Sequence, residues 1–120
     1  MVQIIKSPSI IDAAGNKKKI IKEFFGRVSS QTSEVSIALM KSPEGWTEPG
    51  QCPEFNEYTV VLKGSLKITT RSKEFIISEG MGILTSKGEW VQYSSPFEGG
   101  AEYVAVCLPA FSPDIVRRDA

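Results

Sequence analysis

Three carboxylates, Glu48, Glu54 and Glu57, crowd one short stretch of the chain, with an amide, Gln51, and a thiol, Cys52, between them. Oxygen donors in such a cluster suit proton transfer or a hard cation such as Ca or Mg. An amide can donate and accept hydrogen bonds to a polar ligand. The chemistry is narrowed most by what is missing, because the sequence has no histidine at all. Histidine is the commonest transition-metal ligand and a frequent general base. Its absence excludes Ser-His-Asp and Cys-His catalysis, and any metal site built on imidazole. Strand alternation argues against a cation site as well, since neighbouring residues point to opposite faces and Glu48 and Glu54 then fall on a loop surface.

The elements that must position these groups read as strands. Val35–Met40, Tyr58–Leu62, Leu66–Thr70, Phe75–Ile77, Met81–Thr85, Trp90–Ser94 and Tyr103–Leu108 are short apolar or alternating runs. Gly and Pro turns separate them, at Pro43-Glu44-Gly45, Pro49-Gly50, Lys63-Gly64, Glu79-Gly80, Lys87-Gly88 and Gly99-Gly100. Several short strands at regular spacing indicate an all-β sandwich or small barrel. Lys19–Phe25 is too short for periodicity to separate a helical turn from a strand. Pro109 and Pro113 make the C-terminal tail an extended arm.

A length of 120 residues fits one domain, 1–120, and 41% hydrophobic residues suffice for a core. Lys+Arg and Asp+Glu both number 14, so the net charge is zero and the basic excess of a nucleic-acid binder is missing. The run Lys17-Lys18-Lys19 reads as a solvated flank. No apolar stretch approaches the ~20 residues of a membrane span, and Met1–Ile5 lacks the features of a signal peptide. The expectation is a cytoplasmic protein without a membrane partner. Two cysteines, Cys52 and Cys107, are too few for a disulfide scaffold, and free thiols are expected.

Gly45 to Gly64 reads GWTEPGQCPEFNEYTVVLKG. It resembles the first cupin motif, G(X)5HXH(X)3–4E(X)6G, with the two glycines and the glutamate at Gly45, Gly64 and Glu57. The histidine positions fall on Gln51 and Pro53, or on Gly50 and Cys52 in the other register. GMGILTSKGEWVQYSS, from Gly80, is similar to the second motif, G(X)5PXG(X)2H(X)3N. Gly80 and Gly88 match, while Ser86, Val91 and Ser95 stand at the proline, histidine and asparagine positions. The resemblance implies an all-β cupin barrel, a double-stranded β-helix or jelly roll, in which Gly64 allows a strand pair to reverse after Lys63.

That resemblance also implies a pocket. It places Glu57 inside the barrel as an acid/base or ligand-anchoring carboxylate, with Gln51, Cys52, Val91 and Tyr93 around it. The family's usual three imidazoles are lacking, and one carboxylate with one amide is a poor site for a soft metal. No metal ligand is assigned and no cofactor is expected. Trp90 then faces away, toward a second sheet or partner. Trp46 sits in a loop near the barrel mouth, Cys107 reads as an inert core residue, and Arg117-Arg118 as a solvated tail. Three functions stay open. One is binding of a small polar metabolite, a sugar or hydroxy acid. The second is a metal-independent isomerase, epimerase or lyase with Glu57 as general base. The third is a dimeric structural module. Pairing through Val2–Ile5 and Ile20–Phe25 is expected, giving a homodimer.

Overall fold

The computed structural model describes residues 1–120, and every regular element in it is a strand. In chain order these are β1 (Ser9–Ile11), β2 (Ile20–Phe25), β3 (Ser36–Ser42), β4 (Trp46–Thr47), β5 (Asn56–Thr70), β6 (Glu74–Ser78), β7 (Gly82–Thr85), β8 (Val91–Ser95) and β9 (Ala101–Leu108). Antiparallel pairing joins them in the order β1-β2-β3-β9-β5-β8-β4, with β6 and β7 also on β5. Of Lys19–Phe25, ambiguous in sequence, Ile20–Phe25 forms β2.

Alternation along the strands decides what faces inward. In β9 Ala101, Tyr103, Ala105 and Cys107 are buried, while Glu102, Val104 and Val106 between them are half-exposed. In β8 Val91, Tyr93 and Ser95 are buried. This is the period-2 signature of strands packed on one face. The result is the two-sheet barrel implied by the resemblance.

The long strand β5 belongs to both sheets. Its first half pairs with β7 and β9, and its second half with β6 and β8. Glu57, Thr59 and Val61 face in along the first half, and Leu66, Ile68 and Thr70 along the second. Inward positions therefore change from odd to even numbers. A register shift against β9 between Val61 and Lys63 makes the change. One extra residue keeps the apolar side of the strand on the core after the bend.

The reversal expected at Lys63-Gly64 is thus a corner within one strand and not a hairpin. Gly64 has a φ of +76°, and a Cβ there would stand 2.1 Å from the carbonyl oxygen of Gly100. Glycine is needed at this position for close approach as well as for its backbone angle.

The main core packs Trp46, Val61, Leu66, Ile68, Ile77, Val91, Tyr93, Ala101 and Tyr103. A smaller cluster of Phe55, Cys107 and Val116, flanked by Phe111 and Ile115, closes the other end. The tail builds that closure. It turns at Ser112, where Ile115 N–H donates to the Ser112 carbonyl, and then runs back along the segment before β5. Cys52, Glu54 and Asp119 N–H groups donate to the carbonyls of Arg117, Ile115 and Gly50. The tail is accordingly part of the barrel wall, a correction to the free extended arm. No helix is long and apolar enough to cross a membrane.

Candidate functional site

A cavity opens between the strands of the larger sheet and the Trp46–Phe55 segment. Most of its wall is apolar, and the polar groups are few. Lys19, Glu48, Gln51, Glu57, Tyr93, Tyr103 and Arg118 supply most of them. Such a concave, largely apolar site with convergent polar groups is the usual form of a small-molecule pocket.

Each polar group has a structural reason for its place. Glu48 and Gln51 lie on the segment that follows β4 along β8. Glu48 N–H donates to the Tyr93 carbonyl at 3.3 Å, and Gln51 exchanges two backbone hydrogen bonds with Val91 at 2.9 and 2.8 Å. This pairing turns both side chains inward. Glu57 faces in from β5, where it pairs with Cys107 of β9 and Thr85 of β7. Tyr93 projects from β8, its hydroxyl sharing a hydrogen bond with Thr85 Oγ1 at 2.7 Å. Lys19 lies immediately before β2, and its Nζ donates to the Tyr103 hydroxyl at 2.5 Å while lying 4.1 Å from the Trp46 ring centre.

The electrostatics follow from this burial. Desolvation pushes the Glu48 carboxyl up to about 7; Lys19 opposes the rise, Glu57 adds to it and Arg118 opposes it. Burial likewise raises Glu57, with the Lys19 charge and the Tyr93 hydroxyl pulling it partway back. Tyr93 and Tyr103 are held in their neutral forms by burial. Cys107, on the cavity wall, is pushed far above the ordinary thiol range by burial first and by Glu57 second. It is therefore a poor source of thiolate.

Three buried side-chain atoms have no hydrogen-bond partner: Glu48 Oε2, Gln51 Oε1 and Thr59 Oγ1. Glu48 and Gln51 both line the cavity. Buried polar atoms are nearly always paired, so two unpaired acceptors on one cavity wall mark a place built to receive a donor.

The sequence-derived residues divide. Gln51, Glu57 and Tyr93 come together on the cavity wall. Cys52 does not. Its side chain is exposed, with Sγ donating to the Gly88 carbonyl, because it alternates with the inward Gln51. Of the two registers, the one with Gln51 inward is the register adopted. Val91 points inward but is packed in the main core beneath the cavity and is absent from its wall. Glu54 is on the surface, ion-paired with Arg117, so the three carboxylates do not converge. Cys52 is exposed and Cys107 buried, and they form no disulfide.

Other residues are corrected by their packing. Trp46 is fully buried in β4, its Nε1–H donating to the Ala14 carbonyl at 3.0 Å. Trp90 is half-buried on the outer surface, where Nε1–H donates to Asp119 and its ring meets Arg71. Glu48 and Lys19 belong to the cavity although sequence put them on a loop and in a solvated charge run. Arg118, read as a solvated tail residue, reaches the cavity rim.

The residues do not fit the metal centre of the family the sequence resembles. The positions at issue hold Gln51, Pro53, Glu57 and Val91, and no three His, Cys, Asp or Glu side chains gather as a ligand set. The positive charge facing Glu48 and Glu57 here is the Lys19 ammonium, which acts on both carboxyls.

No family model matches this sequence. The endoribonuclease YbeY of Myxococcus xanthus (strain DK1622) is 39% identical over 101 residues, which make up 84% of this chain and 34% of that protein. The chain thus spans about a third of the length of that curated relative. Among solved structures, the EutQ protein of Clostridium difficile superposes with a TM-score of 0.65 at 25% identity, over 78% of this chain and 64% of that one. The polyketide cyclase RemF of Streptomyces resistomycificus matches all of this chain and 86% of its own, with a TM-score of 0.77 and 14% identity. A cupin-like protein of Thermotoga maritima gives 0.72 at 10% identity, over 90% of this chain and 82% of that one.

Proposed function

For this chain, a member of the cupin superfamily by fold that carries no histidine, we propose that the barrel binds a small polar metabolite, a sugar or hydroxy acid, through its own side chains and without an imidazole-held metal. The observation that carries this reading is the pair of unpaired, buried acceptors on the cavity wall, Glu48 Oε2 and Gln51 Oε1. Ligand hydroxyl or N–H donors, one to each oxygen, would satisfy them at a gain of about 1–3 kcal/mol for each orphaned group. The open cavity speaks against a barrel that serves association alone. The test is a set of thermal melts of untagged protein with aldoses and hydroxy acids. At a ligand concentration of ~100 Kd the midpoint rises by several degrees, since bound ligand adds about 2.7 kcal/mol. A flat response across the whole panel contradicts the reading.

A second reading has its own support. Two cavity carboxyls, Glu48 and Glu57, are raised toward neutrality, as is needed for proton transfer next to a C–H or hydroxyl. In an isomerase, epimerase or lyase, Glu57 would act as general base, and Glu57→Gln would abolish turnover while leaving ligand binding in place. The activity named for the Myxococcus xanthus relative belongs to a protein of which the matched segment is a third.

The protein is further proposed to pair as a homodimer. Val2 and Ile4 are exposed near the β1 edge, and Tyr58, Val60, Leu62 and Leu84 form exposed apolar positions on β5 and β7. Light scattering on the melt samples should give the mass of two chains; a single-chain mass contradicts pairing.

A further inference from the structure

We propose that the metabolite is a small hydroxy carboxylate, its carboxylate held by Lys19 and its hydroxyl donating to one of the unpaired oxygens of Glu48 and Gln51. The inference rests on the metabolite-binding reading above and deepens it.

The charge pattern of the cavity carries the first half. Lys19 is 8% exposed, yet it takes part in none of the three ion pairs of the structure. Its single hydrogen bond runs to the Tyr103 hydroxyl, while the faces of Trp46 and Tyr103 lie 4.1 and 5.0 Å from Nζ. An ammonium has three N–H donors, so two remain for other acceptors. Glu48 and Glu57 feel its charge, but neither makes an ion pair with it and burial pushes both toward the neutral form, so an anion set against Nζ would complete its pairing. Arg118, at the rim, lies over the Phe111 ring at 5.7 Å and adds a second positive charge on the path inward.

The hydrogen-bond pattern carries the second half. Glu48 is 8% and Gln51 4% exposed, and each presents an unpaired oxygen. Both belong to the segment bonded along β8. The stretch that leads to Lys19 is bonded to the start of that same segment, through Asn16 and Thr47 and from Trp46 Nε1–H to the Ala14 carbonyl. The cavity therefore gathers an ammonium with free donors and two unpaired acceptors.

Other ligand classes answer only part of this arrangement. A neutral sugar answers the acceptors but brings no anion to the free donors of Lys19. A simple carboxylate answers Lys19 but leaves Glu48 Oε2 and Gln51 Oε1 orphaned. An amine brings no acceptor to Lys19. A hydroxy carboxylate supplies an anion and a hydrogen-bond donor together.

The experiment is calorimetric titration of untagged protein with glycolate, L-lactate and L-malate. Each is set against its analogue without the hydroxyl, namely acetate, propionate and succinate, and D-glucose serves as the neutral polyol. At least one hydroxy acid is expected to bind 10-fold or more tightly than its analogue. In Lys19→Met that acid loses 10-fold or more, and in Glu48→Gln the preference over the analogue shrinks, while both variants keep a cooperative melt. Should Lys19→Met fail to fold, Lys19→Gln replaces it, and the wild-type preference stands as a test without any variant. Binding of glucose with no binding of any acid overturns this inference and leaves the metabolite reading intact. Equal binding of acid and analogue, or indifference to Lys19, also overturns it. No binding by any probe overturns both.

Discussion

Between pH 5 and pH 8 the thermal midpoint of this protein should fall by on the order of 10 °C, and Glu48→Gln should reduce that slope. The cause is the carboxyl of Glu48, held at about 7 against an ordinary value of 4.5. A raised value means that the folded chain binds the proton more tightly than the unfolded chain does. The stability this confers is in place below 4.5 and is lost as the pH climbs through about 7. A displacement of this size corresponds to about 3 kcal/mol. Lys19 just before β2, Glu57 of β5 and Arg118 of the tail all face the group, and Tyr93 and Tyr103 in turn feel its charge. Glu57 is raised too, so it adds to the fall in the same direction and leaves a residual slope in Glu48→Gln. Circular-dichroism melts at half-unit steps of pH check this. A midpoint that is flat or rises over this window contradicts the burial assigned to Glu48.

Trp46→Ala should cost about 4 kcal/mol in urea unfolding, against about 1 kcal/mol for Trp90→Ala. The two tryptophans differ in surroundings and not in type. Trp46 is fully buried within the main core, touches the cavity, donates from Nε1–H to Ala14 and carries the Lys19 ammonium over its ring. Its removal leaves a cavity, an unpaired carbonyl and a buried cation with one aromatic face fewer. Trp90 is half-exposed and rests on Gly50, where a Cβ would stand 2.2 Å from the ring. Equal costs for the two substitutions would contradict the packing described.

Much of the barrel is legible in the residues themselves. The turn glycines, the alternation along β8 and β9 and the motif spacing around Glu57 carry the fold, and all depend on short-range chemistry. The site is less legible because it depends on which way isolated residues turn. Trp46 sits in a strand of two residues, too short for any period to be read. Lys19 is the one member of a three-lysine run that β2 turns inward, while Lys17 and Lys18 stay exposed. Glu48 and Gln51 are separated by Pro49 and Gly50, and only their bonds to β8 put both on the same wall. Cys52 fails as a wall residue for the same reason, since alternation after the inward Gln51 sends it to the surface. Lys63-Gly64 carries an ordinary turn signal, yet long-range pairing makes it a corner.

The central claim is that this barrel takes its ligand on Glu48, Gln51 and Lys19 directly. The most direct measurement combines metal content and ligand response on one untagged, chelator-stripped sample, because a His-tag would add the ligands the chain lacks. The predicted result is far less than one metal ion per chain together with a hydroxy-acid-induced rise in melting temperature that survives the chelator. A stoichiometric transition metal, with a ligand response that disappears on stripping and returns with the metal, would contradict it.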